Sequence, residues 1–259
     1  YKKIIKKQFK IIELYKNKNF INEKLDAENF IKIIKIKNQN VIVDDYRLGC
    51  LWQRIISKKK NKITVIDDFE NKKNYCDTYI NYKPNLLKNT LDNKLFLNSN
   101  CQKLLGPEYS IIDCKKVFKK ETKKFKIGFY FGGSGNFKNI SKIIKEIIKK
   151  NFFSSREVEI LIIKGLYSTG LRDIISLSKK HKIIKVLSPK TNLNHVLSSL
   201  DILLSSAGNI VYEASYYNIP TILFEITSNQ LNKKEFMEKI GHFFILSKND
   251  LCNYKKIAH

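Results

Sequence analysis

The stretch Phe131-Gly132-Gly133-Ser134-Gly135-Asn136 decides how this chain is read. It follows an apolar, strand-like run, Phe125 to Phe131, and precedes a helix-like one. A second stretch of the same kind, Ser205-Ser206-Ala207-Gly208-Asn209, follows Ile202 to Leu204. A small-residue turn between strand and helix presents bare backbone N–H groups beside the positive end of the helix dipole, a combination that suits phosphate. Two such turns in one half of the chain suggest a site for a nucleoside diphosphate. Glu213, shortly after the second turn, is placed to accept from ribose hydroxyls.

Working outward, strand-like runs alternate with helix-like stretches nearly throughout, the pattern of a parallel sheet covered on both faces. In the first half, Phe9 to Leu14 reads as a strand and Asp26 to Lys35 as an amphipathic helix with Phe30, Ile33 and Ile34 on one face. Val41 to Asp44 reads as a short buried strand, Leu51 to Ser57 as a helix, and Lys62 to Ile66 as a strand ending in Asp67-Asp68. Residues 76–123 show no sustained period, and Lys115 to Lys124 reads as an exposed linker. A second series begins at Phe125. Its strands are Lys126 to Phe131, Val158 to Ile163, Ile183 to Leu187, Ile202 to Leu204, Thr221 to Phe224 and Phe243 to Leu246. Its helices are Ile140 to Lys150, Leu171 to Lys179, Leu193 to Leu200 and Ile210 to Tyr217. The expectation is an α/β protein of two Rossmann-like domains, residues 1–122 and 123–259, meeting at a cleft near residue 120. No glycine-rich turn precedes the first strand-like run, so the first domain is expected to lack its opening βα unit.

The chain has 259 residues, of which 43% are hydrophobic, enough for a sizeable core. No apolar run approaches the ~18 residues of a membrane span, and Lys2, Lys3, Lys6 and Lys7 break any signal-peptide pattern at the start. A cytoplasmic monomer is expected, with no membrane partner. The formal charge of +25 raises nucleic acid as a partner. Yet the cations are nearly all Lys, with Arg only at Arg47, Arg54, Arg156 and Arg172. Arg is the better residue for bidentate phosphate and base contacts, so the charge reads as solvated surface and no nucleic-acid partner is expected. The cysteines (Cys50, Cys76, Cys101, Cys114, Cys252) are scattered and odd in number. They suggest neither a disulfide framework nor a zinc site, and reduced thiols filling core volume are expected. No metal or cofactor is called for.

Several stretches resemble one family. Val41-Ile42-Val43-Asp44-Asp45-Tyr46, Val65-Ile66-Asp67-Asp68-Phe69, Cys76-Asp77 with Asn81, and Leu105-Gly106-Pro107-Glu108-Tyr109 are similar in order and spacing to motifs of the UDP-2,4-diacetamido-2,4,6-trideoxy-β-L-altropyranose hydrolases of pseudaminic acid biosynthesis. Gly132-Gly133-Ser134 resembles their phosphate turn. Ser205 to Asn209, Glu213, Pro220 and Asn229-Gln230 resemble their uridine-binding half. The resemblance runs from about residue 9 onward. It implies a two-domain GT-B-like fold akin to MurG-type glycosyltransferases, and hydrolysis of a UDP-sugar by water to UDP and the free sugar. The family's catalytic histidine, in a glycine-rich turn after the first strand, would lie before Tyr1. His181, His195, His242 and His259 do not inherit its role. Asp45 stands where the family usually has His, and Gly135-Asn136 where it has Asp-Pro.

Hydrolysis at an anomeric carbon needs an activated water and donors that spread the leaving diphosphate's charge. Gly132, Gly133, Ser134, Ser206, Ala207, Gly208 and Asn209 are the expected donors, with Glu213 on the ribose and Gln230 on diphosphate or sugar. Tyr46 and Asn229 are the expected catalytic residues on the sugar side, and Asp45 is a candidate water activator. Each has a plainer reading: a ligand-free turn for the glycines, a solvated carboxylate for Glu213, loop capping for Asn229 and Gln230, a packing ring for Tyr46. Asp67 and Asp68 read as helix caps, His195 as a surface or cap residue, and Trp52 as core. Two other functions compete. One is a UDP-sugar-dependent glycosyltransferase, sharing the uridine half. The other is a non-catalytic basic binding module, whose binding would fall steeply with salt.

Overall fold

The computed structural model describes residues 10–12, 14, 22–35, 37–83, 93–116, 123–150, 157–224 and 243–246. The chain divides into two units, residues 1–110 and 111–259.

In the first unit, helix α1 (Glu23–Ile34) starts where the Asn22 side chain accepts from the Leu25 amide at 2.9 Å, and ends at Lys35, whose φ is +51°. Strand β1 (Asn40–Val43), helix α2 (Cys50–Ser57), β2 (Lys62–Ile66), β3 (Thr78–Asn81) and β4 (Gln102–Leu105) follow. The strands form one parallel sheet in the order β1-β2-β3-β4. Trp52 is buried and ties the helices together: its indole N–H donates to Asp26 at 2.7 Å and its backbone amide to Glu23 at 2.9 Å. Around it pack Ala27, Phe30, Ile31, Ile56, Val41, Val43, Ile63 and Val65.

Two readings of this unit need correction. Ile42 is 69% exposed, so β1 has one buried face, and the pattern alternates as one-sided burial demands. Ile33 is likewise exposed, because the inward stripe of α1 runs through Ala27, Phe30 and Ile31. Lys10 to Ile12 and Leu14 carry no strand; the rest of that run lies outside the described residues.

The second unit holds β5 (Phe125–Tyr130), α3 (Ile140–Lys150), β6 (Val158–Ile163), α4 (Arg172–Lys180), β7 (Ile184–Leu187), α5 (Leu193–Leu197), β8 (Ile202–Ser206), α6 (Ile210–Tyr216), β9 (Thr221–Phe224) and β10 (Phe243–Leu246). All six strands are parallel, in the order β10-β9-β8-β5-β6-β7. The chain winds outward from β5 through β6 to β7, then crosses back to β8 and winds the other way. That is the doubly wound order, whose reversal lies between β5 and β8. β6 is buried at five consecutive positions, Glu159 to Ile163, as two covered faces require. Phe129, Phe137, Ile140, Ile143, Ile144, Ile160, Ile162 and Phe224 form its core.

Candidate functional site

Parallel strands collect ligands outside their carboxyl ends, at the point where strand order reverses. In the second unit that point is bounded by β5 and β8. Their register sets Tyr130 beside Ser205, so Gly132-Gly133 and Ser206-Ala207 leave the sheet at nearly the same level. The Ser205 hydroxyl donates to the Tyr130 carbonyl and closes the seam between the strands.

The first turn is held from behind. Gly132 has φ +76°, a conformation that favours glycine. The loop after β6 lies against it: Tyr167 donates its amide to the Gly133 carbonyl at 2.9 Å, and Thr169 to the Gly135 carbonyl at 3.0 Å. Phe137 returns a bond to the Thr169 carbonyl at 2.9 Å. Gly165 sits so close that a Cβ there would lie 2.4 Å from the Gly133 oxygen. The carbonyls are thus spent on the scaffold, whereas the amides of Gly133, Ser134 and Gly135 meet no acceptor among the described residues. A Cβ on Gly132 or Gly133 would meet nothing within 4 Å, so this edge of the turn faces open space.

The second turn differs from expectation. Ala207 donates its amide to the Phe224 carbonyl at 3.2 Å, and Gly208 to Ser206 at 2.8 Å. Neither N–H is available as a donor, because the sharp turn and the neighbouring β9 consume them. The amides without an acceptor among the described residues are those of Asn209 and Ile210. Glu213 is half-buried, burial lifts its carboxyl above the ordinary glutamate range, and it has no hydrogen-bond or ion-pair partner among the described residues. Nearby, the Tyr217 hydroxyl donates to the Lys115 carbonyl at 2.9 Å and lies 3.0 Å from Asn194 Oδ1, while the Asn194 amide donates to the Asp113 carbonyl at 2.8 Å. This clamp lays residues 113–115 beside α6. His195 is exposed at the start of α5, where Asn192 caps the helix.

In the first unit, Tyr46 and Asp68 follow β1 and β2 at the carboxyl edge of the sheet. The Tyr46 hydroxyl donates to Asp68 at 2.6 Å, and its ring stands edge-on to Phe69 at 4.4 Å. Burial, and then the accepting Asp68 carboxylate, hold that hydroxyl well above the ordinary tyrosine range. Asp68 is therefore a tyrosine acceptor and not a helix cap. Asp67 caps a turn: it accepts from the Phe69 amide at 2.9 Å, and no helix follows. Asp45 is gripped by Arg47 through a 2.6 Å ion pair and the Arg47 amide at 2.9 Å. Chiefly through the guanidinium's hydrogen bond, its carboxyl is held below the usual range, which weakens Asp45 as a base. Asn229 and Gln230 lie outside the described residues. Among the described residues no group of acidic, His or Cys side chains could hold a metal, and no helix is long and apolar enough to cross a membrane.

Two Rossmann-like units with parallel sheets of 4 and 6 strands give the chain a GT-B-type α/β fold. Among solved structures it is similar to MurG of Acinetobacter baumannii (13% identity, TM-score 0.57, covering 91% of this chain and 68% of that one). It is also similar to the pneumococcal O-GlcNAc transferase GtfA in complex with UDP and GlcNAc (14% identity, TM-score 0.52, covering 94% and 53%). In sequence it is 24% identical, over 259 residues, to an uncharacterized protein of Methanocaldococcus jannaschii, covering 93% of this chain and 49% of that protein. It is 23% identical, over 208 residues, to the Helicobacter pylori protein named pseudaminic acid cytidylyltransferase and UDP-2,4-diacetamido-2,4,6-trideoxy-beta-L-altropyranose hydrolase, covering 80% and 37%. The chain thus spans half or less of these curated relatives. No protein-family model matches it.

Proposed function

We propose that the second unit binds the UDP moiety of a nucleotide sugar, and that the chain belongs to an enzyme hydrolysing a UDP-linked 2,4-diacetamido-2,4,6-trideoxy sugar to UDP and the free sugar. The observation carrying this is the meeting of the two turns at the sheet's reversal point, with the amides of Gly133, Ser134 and Gly135 unspent and Glu213 unpartnered among the described residues. In this reading those amides and Ser134 hold the diphosphate, the Asn209 and Ile210 amides add to it, and Glu213 accepts from the ribose hydroxyls. Ser206, Ala207 and Gly208 contribute small size and a turn that admits the nucleotide. Tyr46, whose hydroxyl is oriented by Asp68, and Asn229 and Gln230 are the residues proposed to act on the sugar side. The named activity of the Helicobacter pylori relative supports the hydrolase reading.

A second reading, transfer of the sugar to an acceptor, is favoured by the likeness to GtfA, which is named as a transferase in complex with UDP and GlcNAc. Calorimetric titration with UDP tests the binding site: saturable one-to-one binding that Glu213→Ala abolishes is expected, and a folded chain that takes up no UDP overturns it. Mass-spectrometric product analysis of the UDP-sugar reaction separates the two chemistries. Free sugar formed without acceptor supports hydrolysis, and product formed only with an acceptor supports transfer.

A further inference from the structure

Cys76 lies just before β3 and Cys101 just before β4, on neighbouring parallel strands whose register pairs Thr78 with Gln102. That pairing brings their sulfurs to 3.5 Å, although the residues are 25 positions apart in sequence. Asn98 brackets the pair: its side-chain amide donates to the Cys76 carbonyl at 3.1 Å, and its own carbonyl accepts the Cys101 amide at 3.2 Å. Cys76 is buried, whereas Cys101 is partly exposed to solvent. Either sulfur can donate to the other, and the Cys101 thiol can also donate to the Gln102 carbonyl at 3.7 Å. Their contact, with the Lys103 ammonium nearby, favours the lower range for Cys101, and the contact with burial the higher for Cys76. One sulfur is therefore accessible and its neighbour, in contact with it, is sheltered. That is the asymmetry of an attacking and a resolving thiol.

We propose that Cys76 and Cys101 form an oxidisable dithiol, a modification site at the amino edge of the first unit's sheet, the edge opposite Tyr46 and Asp68. The oxidant class is a peroxide. The Cys101 thiolate attacks one peroxide oxygen, the O–O bond breaks, and the departing hydroxide takes a proton to leave as water, giving a sulfenic acid on Cys101. The Cys76 sulfur then attacks that sulfur, the S–O bond breaks, and the Cys76 proton leaves with the hydroxide as a second water. Two thiols are oxidised, one peroxide is reduced, and the new S–S bond staples β3 to β4.

The test treats the folded chain with hydrogen peroxide at neutral pH, quenches with iodoacetamide, and maps unreduced peptides by mass spectrometry. Expected is a Cys76–Cys101 linked peptide that dithiothreitol resolves, and a Tm above that of the reduced chain. In the reduced chain iodoacetamide modifies Cys101 at least about tenfold faster than Cys76. In Cys76→Ser the same peroxide leaves a sulfenic acid on Cys101 that dimedone captures. The proposal is overturned if, in protein with folded circular dichroism, the two cysteines alkylate separately, pair with other cysteines, or Cys101 passes to sulfinic acid without linking. Should Cys76→Ser fail to fold, the wild-type peptide map decides alone.

Discussion

Gly165 is packed backbone to backbone against Gly133, with room for a hydrogen but not a methyl: a Cβ on Gly165 would lie 2.4 Å from the Gly133 carbonyl oxygen and 2.5 Å from its Cα. The loop after β6 thereby sets the shape of the turn after β5. Gly165→Ala is expected to push that turn outward, costing about 1–3 kcal/mol of stability as overpacking does and weakening UDP binding. Thermal melts and calorimetry on one preparation check both.

Gly133→Ala is the opposite case. A Cβ there meets nothing within 4 Å, so the fold should keep its Tm. The methyl would occupy the space offered to the diphosphate, and UDP affinity is expected to fall about tenfold or more. Unchanged affinity would remove this turn from the proposed site.

Glu213 links stability to pH in an uncommon direction. Its carboxyl is raised by burial, so over the interval just above the ordinary glutamate range the folded chain holds a proton that the unfolded chain has released. Stability of the unliganded protein then falls as pH rises through that interval. UDP affinity rises over the same interval, because the ionised carboxylate is the better acceptor for ribose hydroxyls. Glu213→Gln should flatten both trends, leave the unliganded protein at least as stable at neutral pH, and lose UDP affinity. Melting curves and titrations from about pH 4 to about pH 8 in wild type and variant, a span that begins near the ordinary glutamate value, read this out.

Tyr46→Phe removes one exposed-edge hydrogen bond, and its effect on stability should stay within about 1 kcal/mol. If the hydroxyl acts on the sugar side as proposed, turnover of the UDP-sugar should drop at least about tenfold while UDP binding is kept. Because burial and Asp68 hold the hydroxyl well above the ordinary range, no tyrosine ionisation should appear in the pH–rate profile below pH 10, near the ordinary tyrosine value.

Asp45→Asn should leave the shape of that profile unchanged. The Asp45–Arg47 pair is solvent-facing, and such pairs contribute about 0–1 kcal/mol. A lost acidic limb in this variant would identify Asp45 as the base.

The sheet of the second unit was legible because its strands are uniformly apolar and its turns are built from small residues, both local properties. β3 and β4 were not. Thr78-Tyr79-Ile80-Asn81 buries Tyr79 and Asn81 while its other residues stay half-exposed, and a buried Asn, satisfied by Glu70 only after folding, reads from sequence as a turn. The Tyr46–Asp68 bond joins residues just beyond the ends of adjacent strands, 22 positions apart, so nothing in either neighbourhood announces it. The same holds for Gly165, whose role is contact between two backbones and leaves no side-chain signature. Ala207 and Gly208 mark the second turn correctly, but a sharp turn satisfies its own amides, and the available donors move on to Asn209 and Ile210.

The strand order also has a kinetic consequence. β5 and β8 are neighbours, and Lys126 is bonded to Asp201 across 75 positions of chain. Everything between them, three helices and two strands among the described residues, must be gathered before the seam can close, and long closures are slow steps in folding. A nascent chain carries the first glycine turn well before its companion has been synthesised. Nucleotide present during refolding should therefore accelerate nothing early and act only after the final docking of β8, slowing the loss of a finished structure rather than hastening its formation.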